Sequence, residues 1–339
     1  MLDRLNKPAR LLLAFCLLSQ VTPVREAASE NPDRNAAVQG DRFDGKRAYG
    51  YLKQVCGTGP RISGTEGMLK QQQLLLGHFR ELGAEAWLQE FSYRHPLTGR
   101  RVQLANLIVE WRPEAEERIL LCAHYDTRPY PDRDPNPRLR RAVFLGANDG
   151  GSGVAALMEL GNHVDEMPTG LGLDFVFFDA EELVYDDRKD KYFLGSTWFA
   201  RQYRKKPPAY RYQAGVLLDM VGDKELSVFQ ETRSATMPST RPIVKEIWST
   251  AERLGVEEFI PVARYEVSDD HLPLNNIAKI TTIDVIDFNY PDRWNRFWHT
   301  TQDTPARCSA ESLGKVGWVI QNWLHDRLAV GNQGATAGE

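Results

Sequence analysis

Metal-chelating side chains close the apolar runs of this chain, and that placement constrains its fold more than any other feature. His124 ends the run Leu120-Leu121-Cys122-Ala123, Glu181 and Glu182 come just after Phe175-Val176-Phe177-Phe178, and Asp219 follows Val216-Leu217-Leu218. Asp149 lies in Gly146-Ala147-Asn148-Asp149-Gly150-Gly151-Ser152-Gly153, and His299 lies between Trp298 and Thr300. Short continuous apolar runs are what strands covered on both faces look like. In open α/β sheets the carboxyl ends of the strands face one crevice, and ligands bind there. His, Asp and Glu are also a donor set that Zn²⁺ accepts. The pattern points to a zinc enzyme.

The remaining segments agree with an α/β chain. Gly64-Thr65-Glu66-Gly67 precedes a helical spacing of Met68, Leu75, Leu76, Phe79 and Leu82 that stops at Gly83. Strand character runs over 86–91, 102–111 and 118–125, then again over 173–178, 216–220 and 280–286. Helical spacing occupies 153–164, 240–254 and 310–328, while 129–137 holds four prolines among charged residues and must be a loop. Strands alternating with helices predict one α/β domain with a largely parallel sheet. Neither an internal repeat nor a second domain is visible.

Composition narrows the function classes. A net charge of -4 over 339 residues, without a basic stripe, argues against nucleic acid as a partner. Arg4, Lys7 and Arg10 precede the apolar stretch Leu11 to Val21, which is short for a membrane span but suits an export leader. The expected division is a signal peptide over 1–28, a polar linker over 29–42, a catalytic domain over 43–330 and a disordered tail over 331–339. Export places the protein outside the cell or in a periplasm, with no membrane span once the leader is removed; an uncleaved leader would instead act as an anchor. Losing the leader leaves Cys56, Cys122 and Cys308, an odd set that reads as buried small hydrophobes rather than a disulfide framework.

Each candidate ligand has a plainer role to set beside the metal. A histidine after a strand is commonly just hydrogen-bonded, but Asp126 stands two residues beyond His124, where a carboxylate can orient a ligating ring. Asp149 could merely cap the helix after its glycine-rich turn. Glu181 and Glu182 are the sharpest signal. Adjacent carboxylates repel when desolvated, and a cation removes the objection if one ligates and the other carries protons. Asp219 and the run Asp269-Asp270-His271 are weak taken singly, and Trp298 suits either a pocket wall or a core.

Taken in order, CAHYDTRP, GANDGGSG, FFDAEEL, LLDMVGD, SDDHLPL and WHTTQDT resemble the zinc aminopeptidase superfamily that includes the glutaminyl-peptide cyclotransferases, from about Val55 to Leu328. The resemblance implies a three-layer α/β/α sandwich with a central mixed, largely parallel sheet and zinc at the strand ends. In the cyclotransferase branch it implies one zinc held by Asp149, Glu182 and His299. There Glu181 would be the proton shuttle, Asp219 and Asp269 its hydrogen-bonded partners, and Trp298 a pocket wall. In the aminopeptidase branch it implies two zinc ions, with His124 and Asp219 as added ligands, Asp149 bridging and Glu181 as general base.

Val143-Phe144-Leu145-Gly146-Ala147, Asp269-Asp270-His271, Trp298 and Tyr192-Phe193-Leu194-Gly195-Ser196 look like the cyclotransferase. Gly150-Gly151-Ser152-Gly153 looks peptidase-like, and Asp187 stands where cyclotransferases often carry a tryptophan. The cysteine pair of secreted animal cyclotransferases is incomplete, with Cys122 displaced by one position. The expected activity is conversion of N-terminal glutamine of peptides or proteins to pyroglutamate with release of ammonia; secreted aminopeptidase is the alternative. A binding module that kept the fold and lost activity ranks last, because no ligand or proton carrier is missing.

Overall fold

Register decides where the chelating residues end up. The computed structural model describes residues 42–335. In chain order the elements are α1 (Gly45–Gly57), α2 (Glu66–Glu81), β1 (Glu85–Arg94), β2 (Arg101–Trp111), β3 (Glu117–His124), α3 (Gly151–Gly161), β4 (Gly172–Phe178), α4 (Leu194–Lys205) and β5 (Arg211–Asp219). There follow β6 (Val228–Gln230), α5 (Thr232–Thr236), α6 (Arg241–Leu254), β7 (Phe259–Ala263), α7 (His271–Pro273), β8 (Thr282–Ile286) and α8 (Ala310–Ala335).

The main sheet has the order β1-β2-β4-β3-β5-β8. β1, β2 and β4 pair antiparallel, whereas β4, β3, β5 and β8 pair parallel, so the sheet is mixed and largely parallel. His124 pairs with Phe178, and Asp219 with Ile286, so the last residues of four neighbouring parallel strands share one edge of the sheet. A separate parallel pair, β6 with β7, lies apart from it.

Alternation along the strands supplies two apolar faces. Ile119, Leu121 and Ala123 of β3, with Phe175 and Phe177 of β4 and Val216 and Leu218 of β5, pack into the large core shared with α1, α2, α3, α6 and α8. Leu120, Cys122, Val176, Phe178 and Leu217 face the other way, against Phe199 of α4 and Leu274. The result is the expected three-layer sandwich. Cys56, Cys122 and Cys308 are buried and free, as expected of small hydrophobes.

Among the helices that carry no expectation above, α1 and α4 are the long ones. α1 is capped by Asp44, whose side chain accepts from the Lys46 and Arg47 N–H groups, and it buries Ala48, Leu52, Val55 and Cys56. α4 buries mainly small residues, Gly195, Ser196 and Ala200, beside Phe199, which leaves little hydrophobic period to read. One expectation needs correction: α8 continues to Ala335, so 331–335 are helix rather than tail. Extending a formed helix adds a hydrogen bond per residue without a new nucleus, which outweighs the scattered glycines. The expected leader and most of the linker, together with 336–339, lie outside the described residues. Among the described residues no helix is long and apolar enough to cross a membrane.

α3 presses unusually close to the sheet. A β-carbon on Gly153 would sit 2.2 Å from the Leu218 carbonyl oxygen and 3.0 Å from Cβ of Ala123. That glycine lets the first turn of α3 lie directly on β3 and β5. Gly153→Ala should therefore force helix and sheet apart and lower stability by about 1–3 kcal/mol, the usual range for overpacking. Urea unfolding of the variant beside the parent measures it; unchanged stability would mean the contact is not tight.

Candidate metal centre and its pocket

Each strand end delivers its side chain to one crevice. His124 is the last residue of β3 and Asp219 the last of β5, while Glu181 and Glu182 follow β4 and Asp149 sits just ahead of α3. The connection between β3 and α3 contains neither helix nor strand; it carries Asp126, Arg128, Asp132 and Asp149. The crevice is a cavity of about 330 Å³, lined among others by Asp149, Glu181, Glu182, Asp219, Asp269, Trp298 and His299.

Asp149 is the centre of the arrangement. Its Oδ1 lies 3.2 Å from His124 Nε2 and its Oδ2 lies 3.3 Å from His299 Nε2. On one side His124 Nε2 also faces Asp219 Oδ1 at 3.3 Å; on the other, His299 Nε2 faces Glu182 Oε2 at 3.1 Å. The remaining ring nitrogens look outward at carboxylates too, His124 Nδ1 at Asp126 (3.6 Å) and His299 Nδ1 at Asp132 (3.8 Å). Imidazoles that turn Nε2 to a shared carboxylate and Nδ1 to an outer one have the arrangement of metal ligands.

The donor set fits a cation. Asp149 Oδ2 and Asp219 Oδ1 are buried without a hydrogen-bond partner, an expensive condition that a bound ion would relieve. His124, Asp149 and Glu182 bring ligand atoms within 4.8 Å of one another. Asp149 and Glu182 thus belong both to that group and to the expected group with His299.

The electrostatics of the crevice point the same way. Against burial, which would lower them, the surrounding carboxylates hold the His124 and His299 imidazoles above their ordinary pKa, His124 well above. Against burial, which would raise it, the two histidines hold Asp149 below the carboxylate range. Burial pushes Glu182 up to about 7 and Glu181 well above its usual value, the latter reinforced by Asp269 and Glu182. Asp269 is likewise raised well above, by burial and then by Asp219. A divalent cation bound among these groups would favour the ionised carboxylates and oppose the upward shifts of Glu181, Glu182 and Asp269.

The backbone is bent to make this geometry. Ala180, Phe193, Met220 and His299 all adopt positive φ, uncommon for residues with a side chain. Gly150 does so as well, and a β-carbon there would meet His124 Cε1 at 2.8 Å. This gives the peptidase-like glycine run a local reason: the loop passes directly against the His124 ring.

Asp149, Glu181, Glu182, Asp219, Asp269, Trp298 and His299 line one cavity with His124 against Asp149, while Asp126 and Asp187 are the informative cases. Asp126 sits behind His124 as expected, yet its two oxygens also accept the Glu181 and Glu182 N–H groups at 3.0 and 3.1 Å. It holds two strand ends at once. Asp187 does not wall the pocket. It accepts from the Tyr192 hydroxyl at 2.7 Å, and Tyr192 and Phe193 wall the cavity beside Phe288 and Trp298. His271 turns away, towards Glu231 (3.7 Å) and Asp284 (3.8 Å).

Several supporting residues escape sequence reasoning. Asp303 accepts the Asn148 and Asp149 N–H groups at 2.8 and 3.2 Å and the Tyr290 hydroxyl at 2.8 Å. Arg61, fully buried, donates to the Leu145 and Gly146 carbonyls at 2.6 and 2.8 Å. Arg128 gives its backbone N–H to Glu182 Oε1 at 2.7 Å. Asp303 and Arg128 lie inside the motifs WHTTQDT and CAHYDTRP, but nothing in the spacing assigns them a partner.

Comparison with known proteins identifies the family. Residues 106–324 match the model of peptidase family M28. The glutaminyl cyclase of Fimbriiglobus ruber is 38% identical, over 85% of this chain and 96% of that one, with a TM-score of 0.79. A Zn-dependent exopeptidase from Parabacteroides distasonis is 32% identical, over 85% and 99%, with a TM-score of 0.78. The glutaminyl-peptide cyclotransferase of Drosophila melanogaster is 22% identical over 294 residues, 81% of this chain and 79% of that one.

Asp303 provides a test of the scaffold apart from the chemistry. Asp303→Ala leaves the Asn148 and Asp149 N–H groups buried without an acceptor, at about 1–3 kcal/mol for each unsatisfied group. Urea unfolding of metal-free protein should show a loss of at least that single-group size. No loss would mean that the Asp149 loop holds itself.

Proposed function

Because the chain belongs to peptidase family M28, we propose that it is a zinc-dependent glutaminyl-peptide cyclotransferase, acting on peptides or proteins that begin with glutamine. The observation that carries this reading is the pocket. Tyr192, Phe193, Val267, Ile286, Phe288 and Trp298 wall a small cavity whose floor holds Glu181, Asp269 and the ligand set. A cavity of about 330 Å³ is small for a ligand site, suited to one folded side chain rather than an extended peptide. Likeness to the Fimbriiglobus ruber glutaminyl cyclase supports the same choice.

In this reading Asp149, Glu182 and His299 hold one zinc ion. When bound, zinc supplies Lewis-acid polarisation of the substrate's side-chain amide carbonyl. The aromatic walls hold the glutamine side chain curled back, so that its α-amine reaches its own amide carbon. The new C–N bond closes the ring and the old amide C–N bond breaks. Glu181 takes a proton from the attacking amine and returns one to the departing nitrogen, which leaves as ammonia. Asp269 and Asp219 stand by Glu181 and tune its readiness to carry that proton. No serine or cysteine nucleophile is required.

A second reading rests on a specific observation. His124 and Asp219 form, with Asp149, a second donor group mirroring that of His299 and Glu182. Two zinc ions bridged by Asp149 would suit an aminopeptidase, with Glu181 activating water, and the Parabacteroides distasonis relative is described as an exopeptidase. In either case the apolar leader suits an exported protein.

Two experiments decide. Zinc-loaded protein given a Gln-initiated peptide should release ammonia and leave the peptide full length with a blocked N-terminus, while a Leu-aminoacyl reporter stays intact. Stepwise loss of free amino acids without ammonia would overturn the cyclotransferase in favour of the aminopeptidase.

The second experiment compares neighbours. Glu181→Gln keeps shape but carries no proton, so turnover should fall by about a hundred- to ten-thousandfold or more while zinc stays bound. Glu182→Gln should instead lose zinc, because one ligand of three is weakened. Activity and metal content of both variants are measured together. Near-parental turnover in Glu181→Gln would move the proton carrier to Asp219 or Asp269.

A further inference from the structure

The segment 128–134 grips the His299 segment at every level. The Arg133 N–H donates to the His299 carbonyl at 3.1 Å, and the Arg133 guanidinium lies 3.9 Å over the Trp298 ring. Asp134 accepts from the Thr301 N–H and hydroxyl at 3.0 and 2.6 Å. Asp132 Oδ1 lies 3.8 Å from His299 Nδ1, a buried nitrogen with no hydrogen-bond partner. The grip has work to do, since His299 sits at φ 54°, a conformation that persists only when its surroundings hold it.

Asp132 is itself held. Arg128, almost fully buried, donates to both its oxygens, at 2.7 and 3.1 Å. The same guanidinium reaches the Tyr192 hydroxyl at 3.3 Å and pairs with Asp187. Its backbone N–H binds Glu182. One arginine therefore touches the support of one ligand, the body of another, and a pocket wall.

We propose that Asp132, fixed by Arg128, is the positioning residue for His299: it orients the imidazole so that Nε2 faces Asp149 and Glu182. This rests on the zinc reading above, and it adds a carboxylate that neither the motifs nor their spacing assign. Asp126 behind His124 and Asp132 behind His299 then form a matched pair, both supplied by the connection after β3. Asp187 is the natural control, because it shares Arg128 with Asp132 yet does not face His299.

Zinc affinity, measured by chelator competition on the full chain, reads the effect without relying on turnover. Asp132→Ala should weaken zinc binding by about 10- to 100-fold, the usual consequence of removing the carboxylate behind a ligating histidine. Asp187→Ala should leave affinity unchanged. Asp132→Asn, which keeps an oxygen facing Nδ1 at the same position, should recover part of the loss. Parental affinity in Asp132→Ala, equal losses in the Asp132 and Asp187 variants, or an Asn variant no better than Ala would each overturn the proposal. A parent protein that holds no zinc at all sinks the metal reading, and this proposal with it; a parent that holds zinc while Asp132→Ala holds it equally well overturns only the proposal.

Discussion

Crowding carboxylates into a dry crevice is the constraint on which the rest of the structure depends. Asp149, Glu182, Asp219, Asp269 and Asp270 are all buried within one neighbourhood, with only His124 and His299 among them to offset their charge. Like charges in such a place disfavour one another's ionisation, and burial raises the pKa of Glu182, Asp269 and Asp270. A fold tolerates this only if the backbone that carries the cluster is fixed from outside it. Backbone N–H groups held by Asp126 and Asp303, and the buried Arg61 and Arg128, supply that fixation. The cluster is thus built against its own repulsion, and it keeps its geometry for whatever cation enters.

How much of this is legible in the sequence depends on what carries the signal. His124, Glu181, Glu182 and Asp219 are legible as a candidate site because each closes or follows an apolar run, and in a parallel sheet the ends of such runs must meet. Leu173 to Phe178 and Val216 to Leu218 lie in β4 and β5, with Glu181, Glu182 and Asp219 at their ends. The sandwich follows from the same runs plus helical spacing at 153–164 and 310–328. Helix α1 is a different matter: Ala48, Leu52, Val55 and Cys56 have helical spacing, but they sit among polar residues beside a leader-like segment. Helix α4 hides because small residues, not large apolar ones, make its contact.

Supporting residues are illegible for a further reason. Asp303 acts on the N–H groups of Asn148 and Asp149, and Arg128 on Asp132, Asp187 and Glu182; across most of these pairs no periodicity operates. A hydrogen bond between loops distant in sequence leaves no pattern in either. The same holds for Asp187. The missing tryptophan reads as a gap in the pocket, whereas Tyr192, five residues on, supplies the aromatic wall and Asp187 anchors its hydroxyl.

The ligands and the walls of the pocket have different origins. His124 and Asp219 end strands, and Glu182 follows one closely, so the register of the sheet fixes all three. Phe193, Val267, Phe288 and Trp298 come from connections that the sheet does not dictate. Substitution at Phe193, Val267 or Phe288 can therefore reshape the cavity while leaving the strand ends that seat His124, Glu182 and Asp219 in place.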